Sequence, residues 1–372
     1  MSSTLLTSFY TTTMESILCS SVIIWHVGAT AKDKHKLQRV INAVEKIVGS
    51  LLSLLDHYNM GNEREKNFTT VSEIVLLGFK KFHRSKDLLF SLLLPVYIVT
   101  VCVNLLIIVL VSHSKNLHSP MYFFLTQLSL SDIMLATDIT PNALATVLGD
   151  GIIMSFAGCI LQFYVFGCSE SFECFILTVM AFDRYIAICS PLRYPLIMSR
   201  VSCLKLVTCS WILSFSFILV TTLMLSTLQF CGPNVIDHFF CDFAPILEFS
   251  CSETSAIQIE VMLLSIPVMI FPLVIIIVSY SCIVKSVQQL SSNISRFKTF
   301  STCSSHLTVV SIFYGTLIIT YILPTKGLSL SISRAISVLY TMMTPMLNPI
   351  IYSLRNKDIK CAVQRLASKW GR

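Results

Sequence analysis

The sequence MAFDRYIAICSPLRY, residues 180–194, decides how the rest of the chain is organised. It ends a long apolar helix pattern with the pair Asp183 and Arg184, and continues into a short basic loop that Pro191 interrupts. A charged pair at the end of a membrane span lies where water begins, so the ion pair can form and break at small cost. These residues fit a switch, and they fit an ordinary interfacial helix cap equally well.

The composition of the chain indicates a membrane protein. Of the 372 residues, 54% are hydrophobic and 13% are charged, and the mean hydropathy is +0.75. Soluble domains carry about 25% charged residues, and a bilayer can absorb apolar surface that a small soluble core cannot. The net charge of +7 is not gathered in one patch, so we expect no nucleic-acid partner. The 14 cysteines lack the paired CxxC spacing of a zinc or redox module.

Seven apolar stretches are each close to the 20 residues that a membrane-crossing helix needs. They lie at about 88–112, 121–146, 158–183, 203–226, 257–284, 301–323 and 333–353. We therefore predict an all-α membrane protein, a seven-transmembrane helix bundle over residues 88–353. The chain does not begin with a secretory leader pattern, so we expect the first span to act as a signal anchor.

The loops predict the orientation of the bundle. The loops after spans two, four and six contain only Lys326 and Arg334 as basic residues, whereas the other loops and the tail are rich in Lys and Arg. The positive-inside rule therefore puts the N-terminus outside and the C-terminal tail, 354–372, in the cytosol. Basic residues before span one run against the rule, so the orientation depends on the later loops. The tail begins a basic amphipathic helix at Arg355, which we expect to lie on the inner lipid leaflet.

Residues 1–59 differ from everything after them. Their apolar positions between Leu37 and Val48 recur at helical spacing, as in an amphipathic helix of a soluble protein. The segments LLTSFY and LQRV resemble the C-terminal tail of a retrotransposon reverse transcriptase. The resemblance suggests a gene-model fusion, and a genuine extracellular extension is the alternative. Residues 60–87 would form the extracellular N-terminus, where Asn67 opens a glycosylation sequon.

Several longer motifs carry a family resemblance. They are PMYFFL (120–125), SLSD (129–132), MAFDRYIAIC (180–189), KTFSTCSSHL (298–307) and PMLNPIIY (345–352). Their order and placement resemble the olfactory receptors among the rhodopsin-like G-protein-coupled receptors, over residues 68 to about 360. The resemblance implies a receptor that binds a small odorant outside and activates a stimulatory heterotrimeric G protein inside. A non-olfactory rhodopsin-like receptor is the alternative.

The resemblance also implies a switch at the cytosolic end of span three. Arg184 would pair with Asp183 at rest and be released when span six moves outward. The candidate switch residues are Asp183, Arg184, Tyr185, Tyr280, Lys298, His306, Asn348, Pro349 and Tyr352. Interfacial snorkelling is the alternative for the basic residues of this set.

Ionisable residues inside a membrane are costly and indicate function. Asp132 lies in the middle of span two and Glu173 in the middle of span three, with Asn104 in span one and Asn348 in span seven. In the resembled family such groups meet in the bundle centre. Two carboxylates in a low dielectric cannot both stay ionised without a counter-charge, so a proton or a sodium ion is expected there. A polar cluster that only holds the helices together is the alternative.

Glu170 lies three residues before Glu173, and therefore on the same helix face one turn nearer the outside. That position puts it in or under the expected odorant pocket, although packing against a neighbouring helix explains each pocket candidate equally well. The candidates for ligand contact are Phe163, Phe166, Gly167, Glu170, Ser171, Leu264, Ser265, Val268, Tyr314, Leu317, Ile318, Tyr321, Val338 and Thr341.

Four cysteines fall on the expected outer side, where disulfides persist. Their spacing alone allows three connectivities, and the resemblance implies the pairs Cys159–Cys241 and Cys231–Cys251. Cys361 after span seven is a candidate for palmitoylation or a plain free thiol.

Two other function classes fit poorly. A transporter would show repeated halves with matching helix breaks, and the sequence has no such repeat. An enzyme would need a nucleophile with a base, or a metal-binding set, and neither HExxH nor GxSxG occurs. We therefore expect no enzymatic activity and no cofactor, with membrane lipid as a further partner.

Overall fold

Helices make up most of the computed structural model, which describes residues 71–79, 86–149, 151–230, 234–289, 293–321, 330–355 and 357–370. The predicted extension 1–59, the sequon at Asn67 and Cys231 lie outside these residues. The helices in chain order are α1 (Lys86–His113), α2 (Pro120–Leu148), α3 (Phe156–Cys189), α4 (Tyr194–Ile197), α5 (Arg200–Ser226), α6 (Phe243–Glu248), α7 (Ser255–Ser265), α8 (Phe271–Gln288), α9 (Asn293–Tyr321), α10 (Leu330–Val338), α11 (Thr344–Arg355) and α12 (Lys357–Trp370).

Five helical segments of the described chain are long and apolar enough to cross a membrane: α1, α3, α5, the continuous run 255–288, and the part of α9 from 303 to 320. They coincide with the predicted spans one, three, four, five and six. Span two corresponds to α2, whose polar residues include Asp132 and Asp138. Span seven corresponds to α10 and α11 with the turn between them. The count of seven spans and the orientation of the termini stay predictions.

Two of the predicted spans contain a widened, π-helical turn just before a proline. In span five the turn covers Ile266–Ile270 and Pro272 follows, and in span seven it covers Leu339–Met343 and Pro345 follows. Proline has no N–H to donate, and its ring displaces the carbonyl four residues earlier. A π turn accommodates that displacement without ending the helix. Both spans therefore remain helical across their prolines.

Helix α3 lies at the centre of the bundle and packs against α2, α5, α8 and α9. Its contact with α5 is aromatic, since the rings of Phe172 and Trp211 stack with centroids 3.8 Å apart. Gly167 belongs to the same contact, because a Cβ there would lie only 2.9 Å from Cγ2 of Ile218. The close approach of α3 and α5 therefore depends on a residue without a side chain.

The expectation of an all-α chain misses a small three-stranded sheet. Strand β1 (Glu73–Leu76) is central, with β2 (Ile152–Ser155) antiparallel on one side and β3 (Val235–Ile236) parallel on the other. Strands of two to four residues are too short to produce a readable alternation in the sequence. The sheet joins the segment before span one to the loops after spans two and four.

The disulfide Cys159–Cys241 lies beside this sheet, with both residues fully buried. It joins the first turn of α3 to the loop after α5 across 82 residues of sequence. The resemblance-based prediction of this pair is confirmed. Cys251 is also disulfide-bonded, and since Cys231 is outside the described residues, the pair Cys231–Cys251 stays a prediction.

Candidate functional site

The ion pair at the end of α3 is formed within two neighbouring residues. Arg184 donates from Nε to Oδ2 of Asp183 over 2.9 Å, and its Nη2 donates to the same oxygen. The second carboxylate oxygen, Oδ1, accepts from the hydroxyl of Tyr194 at 2.8 Å. Asp183 is fully buried and Arg184 is 14% exposed. The carboxylate is therefore held from two sides, by α3 itself and by the short helix α4.

Burial and the adjacent Asp183 raise the pKa of the Tyr194 hydroxyl above its ordinary value. The phenol therefore stays protonated at physiological pH and acts as a hydrogen-bond donor. Tyr194 was not among the switch residues predicted from the sequence. Tyr185 was named instead, because Tyr185 belongs to the Asp-Arg-Tyr triplet. Tyr185 is half-buried, and its ring lies 6.3 Å from that of Phe182.

A second contact near the same end of α3 joins span five to spans three and six. The hydroxyl of Tyr280 lies 2.6 Å from Nδ1 of His306, and Nε2 of His306 lies 3.1 Å from the carbonyl oxygen of Leu177. A carbonyl only accepts, so Nε2 carries the proton and Nδ1 accepts from Tyr280. His306 thus connects α8, α9 and α3 through one neutral imidazole.

Tyr352, Pro349 and Lys298 are further switch candidates. Tyr352 in α11 is 1% exposed, and its hydroxyl has no hydrogen-bond partner among the described residues. Pro349 lies inside α11. Lys298 lies in α9, but its side chain is outside the part of the chain that the structure describes. Beyond α11, Ile359 and Ala362 of α12 are buried while Cys361 is an exposed free thiol.

A polar cluster occupies the bundle centre, as the sequence predicts. Nδ2 of Asn348 donates to Oδ1 of Asp132 over 3.0 Å and to Oε1 of Glu173 over 3.1 Å. Asn104 has a different partner from the one expected, because its Nδ2 donates to the carbonyl of Pro345 over 3.1 Å. That carbonyl lies four residues before Pro349, which has no N–H to donate to it, so the carbonyl is free to accept from Asn104. Asn348 is therefore the group that joins the two carboxylates.

The candidates for ligand contact divide by burial. Phe163, Phe166, Ser171, Tyr314, Leu317 and Thr341 are buried, whereas Leu264, Ser265, Val268 and Val338 are half-buried. Ile318 is 37% exposed, Gly167 lies in the α3–α5 contact described above, and the side chain of Tyr321 is not described. Both carboxylate oxygens of Glu170 are enclosed and have no hydrogen-bond partner among the described residues.

A polar cap lies between the loop after α5 and the start of span seven. Arg334 is 1% exposed and forms an ion pair with Asp237, and its Nη2 also donates to the Asp237 carbonyl over 3.1 Å. Asp242 accepts from the backbone N–H of Phe243 at 2.7 Å and from the Tyr340 hydroxyl at 3.3 Å. The sequence contained a signal for this contact, since Arg334 is an isolated cation opposite an acidic loop.

Two titratable groups of this cap have shifted pKa values. Burial raises the pKa of Asp242 to about 6, and its hydrogen bonds from Phe243 and Tyr340 limit the rise. Burial, together with the nearby Arg334, lowers the pKa of His238 to about 4. The ring of His238 stacks on that of Phe239 and meets that of Phe240 edge-on, at centroid distances of 4.7 and 4.8 Å.

Comparison with known proteins identifies similar sequences. A family model described as "Olfactory receptor" matches residues 93–369. Human olfactory receptor 11L1 is 44% identical over 301 residues, which is 81% of this chain and 94% of that protein. Human olfactory receptor 8H1 is 43% identical over 82% of this chain and 97% of its own length. Mouse olfactory receptor 5AP2 is 42% identical over 82% of this chain and 96% of its length.

Proposed function

The chain belongs to the olfactory receptor family, and we propose that it senses a small organic odorant and activates a stimulatory heterotrimeric G protein. Members of this family are multi-pass proteins of the plasma membrane and are not enzymes. The proposal places the odorant in the extracellular half of the helix bundle and the G protein at its cytosolic face. The seven spans, the outside N-terminus and the cytosolic tail are part of the same proposal.

The contact of Asp183 with Arg184 and Tyr194 carries the proposal. A buried carboxylate that holds an arginine at the end of a central helix is a two-state element, because Arg184 can have only one set of partners at a time. Release of Arg184 from Asp183 would make its guanidinium available near Tyr280 and Tyr352.

The odorant must bind the active arrangement better than the resting one, or it cannot shift the equilibrium. Helix α3 is suited to couple the two sites, because it carries Glu170 near its outer half, Glu173 at the centre and Arg184 at its end. The Asp132–Glu173 pair would hold a proton or a sodium ion between them. Two oxygen-rich carboxylates with one amide suit either occupant.

The test is a cyclic AMP assay in cells that express the full chain and are exposed to an odorant panel. Arg184→Ala should abolish the response while surface expression persists. The matched control is Arg193→Ala, which removes an exposed arginine of the turn that follows α3. Unchanged responses of Arg184→Ala would refute the switch.

Deletion of residues 2–59 should leave the odorant response unchanged, and a loss of response would contradict the fusion hypothesis.

A further inference from the structure

Glu170 is a half-buried acid whose carboxylate has no hydrogen-bond partner among the residues that the structure describes. Both of its oxygens are enclosed, and neither has a hydrogen-bond donor among the described residues. Such an arrangement is costly, because a buried carboxylate needs a donor or a counter-charge. The central pair is different, since Asp132 and Glu173 share the amide of Asn348. Glu170 is therefore not explained by the central cluster.

The charged groups that act on Glu170 increase the cost. They are Glu173, one helical turn below, and Asp242, in the loop above. Both are carboxyl groups, so they repel a negative charge on Glu170 instead of balancing it. Arg334 on the same side is already paired with Asp237. Within the described parts of the chain, the charged groups that act on Glu170 are thus acidic, and the nearby Arg334 is paired with another carboxylate.

The side of Glu170 that faces outward along α3 is aromatic. Phe166 precedes Glu170 by one turn, and its ring lies 5.2 Å from Phe240 and 6.1 Å from Tyr340. Tyr340 in turn donates to Asp242. Aromatic faces together with a carboxylate are the surroundings that favour an organic ammonium group, through charge pairing and cation–π attraction. An apolar ligand body would pack against the same rings.

We propose that the odorant of this receptor is an organic amine whose ammonium group pairs with Glu170. The inference rests on the proposed function, because it assigns a ligand class to the same extracellular site. The ammonium would supply both missing elements, a positive charge and two or three N–H donors for the enclosed oxygens. Pairing of Glu170 with the ligand couples ligand binding to α3, the helix that carries the Asp183–Arg184 pair.

Binding to the purified full-length receptor tests the ligand class without reference to signalling. The probes are 2-phenylethylamine, cyclohexylamine and isopentylamine, each against the alcohol of the same shape, near neutral pH where the amines are protonated. Ligand-dependent stabilisation against heat measures the affinity. We expect at least one amine to bind about tenfold tighter than its alcohol. Equal affinity for each pair, or no binding by any of the amines, would overturn the proposal.

Two isosteric variants assign the preference to a residue. Glu170→Gln should remove the advantage of the amine while binding of the alcohol changes little. Glu260→Gln is the matched control, because that acid lies at the α5–α7 contact and already accepts from Thr221 at 3.0 Å. The control should keep the preference. An amine preference that survives in Glu170→Gln refutes the role of Glu170, and the preference of the unaltered receptor is measurable even if that variant does not fold.

Cyclic AMP measurements in cells separate this inference from the proposed function. Amines that bind through Glu170 but raise no cyclic AMP would contradict stimulatory coupling and leave the ligand class intact. Responses confined to neutral odorants, with no change in Glu170→Gln, would refute the amine and support the receptor function.

Discussion

The hydroxyl of Tyr194 provides a measurable test of the resting contact of Asp183 with Arg184 and Tyr194, called the resting lock below. Tyr194→Phe removes one hydrogen bond to the buried Asp183 carboxylate, at 2.8 Å, and leaves the ring and the rest of α4 in place. Hydrogen bonds to charged groups contribute about 1.5–3 kcal/mol to stability. Tyr194 is only half-buried and its hydroxyl can bond to water, so we assign about 1 kcal/mol to the loss.

We expect Tyr194 to leave Asp183 together with Arg184 on activation, so this energy acts on the resting state alone. A loss of about 1 kcal/mol should then raise the active fraction about fivefold. The assay is ligand-free cyclic AMP, normalised to surface expression measured by antibody labelling. Tyr97→Phe removes a hydroxyl in α1, far along the chain from the lock, and should leave basal signalling unchanged. Unaltered or lower basal signalling in Tyr194→Phe at normal surface expression would refute this account of the lock.

Three further predictions concern the segment after β1, the Cys159–Cys241 disulfide and the polar cap. Gly78→Ala should reduce surface expression severely, because Gly78 has a φ of +52° and a Cβ would lie 2.2 Å from the side chain of Thr146; normal expression would show that the sheet can rearrange. Cys241→Ser should lose about 4–5 kcal/mol of stability, as expected for a bridge that closes 82 residues, and a variant that reaches the surface with an unchanged thermal midpoint would contradict this. For the pH dependence, His238 resists protonation in the fold, so its contribution to stability falls as pH drops from about 6.5 towards 4. Asp242 has a raised pKa of about 6, so its contribution rises as pH drops through that value. When the pH is lowered from 7 to 5, the thermal midpoint of Asp242→Asn should therefore fall relative to that of the unaltered receptor, and the midpoint of His238→Gln should rise relative to it. Relative midpoints of the two variants that move in the same direction would refute the assignment.

The residues that sequence reasoning placed correctly are those linked by local geometry or by a long motif. Asp183 and Arg184 are neighbours, and Glu170 and Glu173 are one helical turn apart, so the helix alone fixes their relation. The Cys159–Cys241 bridge could not be chosen from spacing and depended on the resemblance. Asn348 was expected near Asp132 and Glu173 for the same reason, and it joins them.

The contacts that sequence reasoning missed depend on the path of a loop. Tyr194 reaches Asp183 only because the chain turns back after Pro191, and no periodicity reports such a turn. Arg334 appeared to be an exposed loop residue, yet it is almost completely buried against Asp237, 97 residues away. Asn104 was placed in the correct helix, but its partner is the backbone carbonyl of Pro345, and side-chain types do not reveal that acceptor.

The central position of β1 has a consequence for biogenesis. Because β1 pairs with strands from two loops that follow later in the chain, its partners are synthesised only after β1 itself has left the ribosome. The segment before α1 must therefore reach the side of the membrane that carries the Cys159–Cys241 bridge and wait there for α5 to be completed. The sheet therefore cannot be completed before β1, β2 and β3 have all reached the same side of the membrane.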